Sequence, residues 1–317
     1  MSNIYCGETK WILFLSVDIK GSTSFKQHDD NFGYVDRWFG FFYTFYSEFQ
    51  TEFSTQCFNE FKNGIADDKT PILWKPIGDE LVFTILITKA VEIQLAVNAF
   101  CKTLQNRSQY LRSSHKSFQL DVKGTCWLAE FPCTNAEFFF PYNNQTDKNN
   151  IKDYAGPSID IGFRISKFAT PEKLIISAEI ARTLAEYSEP HIYFDGLEDL
   201  KGVLKGHGYP IFWILCQKEQ EFSTLRKKCD GTSVKKYCDS FFNRIKRVLP
   251  PPFFLDGELL REIPNGFTEK NKETVAKLLQ YQQLESIQAD EEDGKAPLTA
   301  TSLSKLEQDL ERAITHT

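Results

Sequence analysis

The chain has 317 residues, enough to bury one sizeable core with material left over. Hydrophobic residues make up 41% and charged residues 25%, the balance of a globular protein, and a net charge of −6 excludes a nucleic-acid binder held by a general basic field. The eight cysteines contain no C-x-x-C and the five histidines are scattered, which excludes the common structural zinc patterns.

No signal peptide is visible and no segment approaches about 18 clean apolar residues. A soluble, cytoplasmic protein without membrane contact is therefore expected, its cysteines reduced and mostly buried. In chain order, Trp11–Val17 reads as a buried strand cut off by Gly21-Ser22-Thr23. Ser22 or Thr23 is predicted to cap the next helix. That helix carries Trp38, Phe39, Phe41, Phe42, Tyr43, Phe45, Tyr46 and Phe49, so burial on several sides is expected. Strands Ile72–Ile77 and Glu80–Ile87 flank Gly78-Asp79, where Gly at the first central position suits a type II′ turn.

Residues 89–111 have helical spacing, and Phe118–Ala129 reads as a strand. A polar loop near Asn143–Asn150 precedes a helix from Pro157 to about Ala169, a strand at Leu174–Ser177 and a helix at Ala178–Tyr187. Two late strands end in Ile211–Leu215. Helices mixed with hairpins predict an α+β fold rather than a doubly wound sheet. Residues 1–217 are expected to form the main domain. Residues 218–317, with Pro250-Pro251-Pro252 and a polar end, are expected to form a mostly helical, partly disordered extension.

Asp18 ends a strand beside a Gly-containing turn, and Asp79 occupies a hairpin tip. Brought together, two such carboxylates can hold two divalent cations roughly 4 Å apart for in-line attack at phosphorus. Gly21-Ser22-Thr23 at a helix start offers N–H donors to phosphate. Asp160 and Arg164 stand four apart on a helix, which suits either a surface ion pair or two groups facing one site.

The order of these pieces resembles the class III nucleotide cyclases. Phe14-Leu-Ser-Val-Asp18-Ile19-Lys20-Gly21-Ser22-Thr23 is similar to their F-x-D-I-x-G-[FS]-T opening, and Lys75-Pro-Ile-Gly78-Asp79 to their K-x-x-G-D hairpin. Asp153-Tyr-Ala-Gly156-Pro-Ser-Ile-Asp160-Ile-Gly-Phe-Arg164 resembles the D-x-x-G-x-x-V-N-x-A-x-R segment, and Lys205-Gly206-His207-Gly208 the K-G-x-G hairpin, with Lys201-Gly202 a rival. The resemblance spans about residues 8–217 and implies a ferredoxin-like, βαββαβ-derived catalytic domain.

It implies further that Asp18, Asp79 and the Ile19 carbonyl hold two Mg²⁺ or Mn²⁺ ions per site. Arg164 would stabilise charge at the α-phosphate of a nucleoside triphosphate, and Lys205 or Lys201 would neutralise the phosphates. The metal carboxylates and the arginine would meet across an antiparallel homodimer. Lys75 and Asp153 stand where adenylate cyclases read adenine, and Asp160 where they carry a ribose-orienting asparagine. Ile159–Arg164 and Lys123–Trp127 look more like the bacterial pyrimidine cyclases of anti-phage signalling, which make cyclic UMP or cyclic CMP for a separate effector protein. Tyr43 or Tyr46 is a candidate to narrow the base pocket. An adenylate cyclase and a catalytically inactive nucleotide sensor are the alternatives. Gly78-Asp79-Glu80 is also similar to the G-G-D-E-F turn of diguanylate cyclases, although Ile77 replaces its first glycine.

Overall fold

A computed structural model of the chain describes residues 10–27, 37–62, 69–114, 119–132, 134–140, 151–187, 192–216 and 228–245, with short pieces at 3–4, 254–255, 258–259, 273 and 276–277. Its centre is β2 (Lys10–Lys20), an eleven-residue strand whose side chains alternate between two cores. Leu13, Leu15, Val17 and Ile19 enter the larger core, under α2 (Arg37–Phe61) and α3 (Ala90–Ser114). Ile12 and Phe14 enter a smaller core on the opposite face, and Ser16 and Asp18 continue that row to the strand end.

β3 (Ile72–Ile77), β4 (Glu80–Ile87) and β5 (Asp121–Phe131) complete a β2-α2-β3-β4-α3-β5 run. They lie in the order β3-β4-β2-β5, each antiparallel to its neighbour. This is the expected ferredoxin-like arrangement, with β4 inserted between the parallel pair β2 and β3. β8 (Lys173–Ile176) adds parallel to β5, and β10 (Tyr209–Leu215) and β9 (Ile192–Glu198) finish a seven-stranded sheet. A second sheet joins β1 (Asn3–Ile4), β6 (Ala136–Phe140) and β7 (Ile151–Ala155). The last two strands of that sheet flank the polar loop expected at 143–150, which lies outside the described residues.

Two local expectations are corrected. The N-cap of α1 (Ser22–Lys26) is Gly21 at φ 86°, and neither Ser22 nor Thr23 caps it. The aromatic helix α2 is not buried on several sides. It buries one stripe, Phe42, Phe45, Phe49, Phe53, Cys57 and Phe61, while Phe39, Tyr43 and Phe58 face solvent. Helical spacing decides which ring is core, so a ring-dense sequence still has an outside. All six described cysteines are free thiols, four of them buried. Among the described residues no helix is long and apolar enough to cross a membrane.

Beyond residue 217 the described helix α6 (Gly231–Arg244) docks on α5 (Ala178–Tyr187). Val234, Cys238, Phe241 and Phe242 join the larger core, and Arg182 Nε meets Asp239 Oδ1 at 3.1 Å. Buried at this junction, Glu179 is pushed up to about 7 by loss of hydration, against hydrogen bonds from Ser177, its own backbone and Tyr209. From its ordinary value near 4.5 up to about 7, the folded chain holds this proton and the unfolded chain does not. Stability should therefore be highest below that window and fall by about 3 kcal/mol as pH rises through it. Denaturant titrations between pH 5 and 8 should show the fall, and Glu179→Gln should flatten it.

α4 (Pro157–Ile165) is seated on β5 by Gly162, where a Cβ would stand 2.2 Å from a Trp127 ring carbon. Gly162→Ala should cost about 1–3 kcal/mol of unfolding free energy through overpacking. Gly40→Ala, with no atom within 4 Å of the new Cβ, should instead stabilise α2 by about 0.5–1 kcal/mol. Thermal or urea unfolding of the two variants checks both signs.

Candidate functional site

Strand register builds the first part of the site. Asp18 pairs with Glu80 on β4 and with Lys123 on β5, so the three side chains form a row on the face opposite α2 and α3. Adjacent carboxylates repel, and two groups offset this: Lys123 Nζ sits 2.8 Å from Asp18 Oδ2, and the Ser16 hydroxyl donates to Glu80 Oε1. Burial raises the pKa of Glu80, helped by the charges of Asp18 and Asp79, while Ser16 and Lys123 pull it down.

Asp79 follows Gly78 at the β3–β4 tip, where Gly78 has φ 65° and Asp79 does not need positive φ, as the II′ expectation requires. The buried Ser22 hydroxyl donates to Asp79 Oδ2, and Lys26 Nζ lies 3.9 Å from Oδ1. Ser22 therefore orients the carboxylate instead of capping its helix. The Tyr46 hydroxyl donates to the Gly78 carbonyl, and burial together with the nearby Asp79 charge raises its pKa. Tyr43 is exposed. Ile19 buries its side chain one residue past the last β2–β4 pair, which leaves only its carbonyl as a possible ligand. Thr23 is exposed on α1.

The second part joins β3 to β7. Lys75 Nζ meets Asp153 Oδ1 at 2.7 Å, with side-chain exposures of 35% and 41%. At that exposure the pair adds little stability, so its interest lies in its placement. The third part is at α4. Arg164 is exposed, and its Nη2 lies 3.8 Å from where a Gly202 Cβ would be, beside the Lys201-Gly202 turn. Asp160 is exposed on the same helix, but the two make no ion pair. Lys205 begins a sharp turn, with Leu204 at φ 56° and Gly206 at φ 83°, and its side chain lies outside the described residues. Among the described residues no hydrogen bond or ion pair links Arg164, Asp160 or Lys201 to Asp18, Asp79 or Lys75.

Aspartate oxygens such as those of Asp18 and Asp79 are hard donors that suit Mg²⁺ or Mn²⁺, which are commonly held by one or two carboxylates plus substrate phosphates. No group of three or more His, Cys, Asp or Glu among the described residues is arranged to hold a metal. Motifs run through Glu80, Lys123 and Ser16 without placing any of them beside Asp18, and they do not give Ser22 its orienting role. Cross-strand register is the signal that finds the first three, once β2, β4 and β5 are aligned.

Removing the cation from the charge row exposes its balance. Lys123→Met should lower stability by about 0.5–1 kcal/mol, and Glu80→Gln in the same chain should restore most of that. A double-mutant cycle of unfolding free energies measures the coupling.

No protein-family model and no curated protein matches the chain. Among solved structures, the adenylyl cyclase CyaB from P. aeruginosa superposes with a TM-score of 0.51 at 11% identity, covering 67% of this chain and 97% of that one. The guanylate cyclase domain of RhGC from Catenaria anguillulae, in complex with GTP, gives 0.46 at 9% identity, over 67% and 100%. The likeness to the first shows the fold, which is the cyclase catalytic-domain fold implied by the sequence resemblance.

Proposed function

We propose that the protein is a metal-dependent nucleotide cyclase that converts UTP or CTP to the 3′,5′-cyclic monophosphate and diphosphate. The observation that carries this reading is the placement of Asp18 at the end of β2, paired with Glu80 of β4, and of Asp79 at the adjoining β3–β4 tip, on a cyclase-like fold. In the reaction the ribose 3′-oxygen bonds to the α-phosphorus as the bond to the β-phosphate bridging oxygen breaks. The hydroxyl proton is lost and diphosphate leaves.

Asp18, Asp79 and the Ile19 carbonyl would hold Mg²⁺ or Mn²⁺, two ions per site. Bound there, the cations acidify the attacking hydroxyl and offset phosphate charge. Ser22 keeps Asp79 aimed, and Gly21, Ser22 and Thr23 border the phosphates. Arg164 stabilises the charge that grows at the α-phosphate, assisted by Lys201 or Lys205. Asp160 faces the ribose, while Lys75 and Asp153 meet the base, and Tyr46 braces the hairpin under it. A homodimer in which each site takes one half from each subunit goes with the sequence resemblance. Residues 218–317 are an extension to this catalytic unit.

The pyrimidine preference rests on Ile159–Arg164 and Lys123–Trp127. A role in anti-phage signalling, with the product read by a separate effector, goes with that resemblance. The Lys75–Asp153 pair keeps ATP as the second substrate reading.

Asp79→Asn and Arg164→Ala should each lower turnover at least about 100-fold. Mixed and allowed to exchange subunits, the two inactive variants should recover about a quarter of native activity, because half of the dimers then hold one intact site. No recovery on mixing would overturn the composite site.

A further inference from the structure

We propose that Trp74 is the positioning residue that sets base selectivity, by fixing the span between Lys75 and Asp153. The inference rests on the reading of that pair as the base contact. The pairing of β3 with β4 slips between Leu73 and Lys75: Leu73 faces Phe83, Lys75 faces Val82, and Trp74 is the extra residue of a β-bulge. In a regular strand Trp74 and Lys75 would point to opposite faces. The bulge instead sends both to the face of the smaller core, where Trp74 packs and Lys75 stands opposite Val82.

The indole then does two things. Its face carries the Lys75 ammonium, 4.1 Å from a ring centroid. Its N–H donates to the Lys152 carbonyl at 3.3 Å, next to Asp153 in β7. One side chain therefore ties the strand of Lys75 to the strand of Asp153, although the two belong to different sheets. Edge-to-face contacts with Phe14 at 5.3 Å and Tyr154 at 5.1 Å leave the ring little freedom to turn. Bulges that re-aim a side chain are common beside functional sites. Here the bulge makes the distance and angle between an ammonium and a carboxylate a property of one tryptophan.

Equilibrium binding of ATP, GTP, CTP and UTP, each with Ca²⁺ to suppress turnover, tests this on the full chain. The native protein should prefer one nucleotide. Trp74→Leu should reduce that preference about tenfold, and Trp74→Phe, which keeps a ring but no N–H, about threefold. Trp74→Leu should add nothing further in a Lys75→Met background, as expected of a residue that acts through Lys75. If Trp74→Leu and Trp74→Phe weaken all four nucleotides by one common factor, or act independently of Lys75→Met, the inference is overturned while the nucleotide-site reading stands. A native protein that binds none of the four, or all equally, overturns both the inference and the base-contact reading.

Discussion

A carboxylate held between another carboxylate and an ammonium is the constraint on which the site depends. Asp18 has Glu80 on one side and Lys123 on the other because three antiparallel strands are in fixed register. That register is set by burial. A one-residue slip of β2 would carry Leu13, Leu15 and Val17 out of the larger core and turn Asp18 into it. The aromatic and aliphatic core that folds the sheet therefore also fixes the position of its acidic row. The charge repulsion in that row is tolerated because Lys123 and Ser16 offset it locally.

The neighbouring elements extend this logic. α1 begins with Gly21 in a left-handed conformation, which leaves the Ser22 hydroxyl to hold Asp79. α2 presses one aromatic stripe onto the sheet and uses Tyr46, at the margin of that stripe, to hold the Gly78 carbonyl. The hairpin tip is thus gripped from two helices. Arg164 is placed by a different device, a glycine at 162 that lets α4 settle on the Trp127 ring.

Much of this was legible in the sequence where periodicity and turn chemistry act alone. The strand at Trp11–Val17, the Gly78-Asp79 tip and the helix Ala178–Tyr187 needed only local patterns, and the structure has them. What local patterns do not carry is pairing between distant segments. Lys123 and Glu80 stand beside Asp18 only through register, and Ser22 changes role only because Asp79 arrives beside it. The bulge at Trp74 is likewise a two-strand property, invisible in Ile72–Ile77 read by itself. Ring density in α2 misled about burial because the decisive quantity is angular position, with Tyr43 and Phe39 on the outer side.

The central claim is that this constellation closes a ribose phosphate ring. Its most direct test is incubation of the purified protein with Mn²⁺ and each of the four ribonucleoside triphosphates, with products identified by mass spectrometry. The account predicts cyclic UMP or cyclic CMP together with diphosphate, and loss of both in Asp18→Asn. Absence of a cyclic nucleotide from all four triphosphates would contradict it.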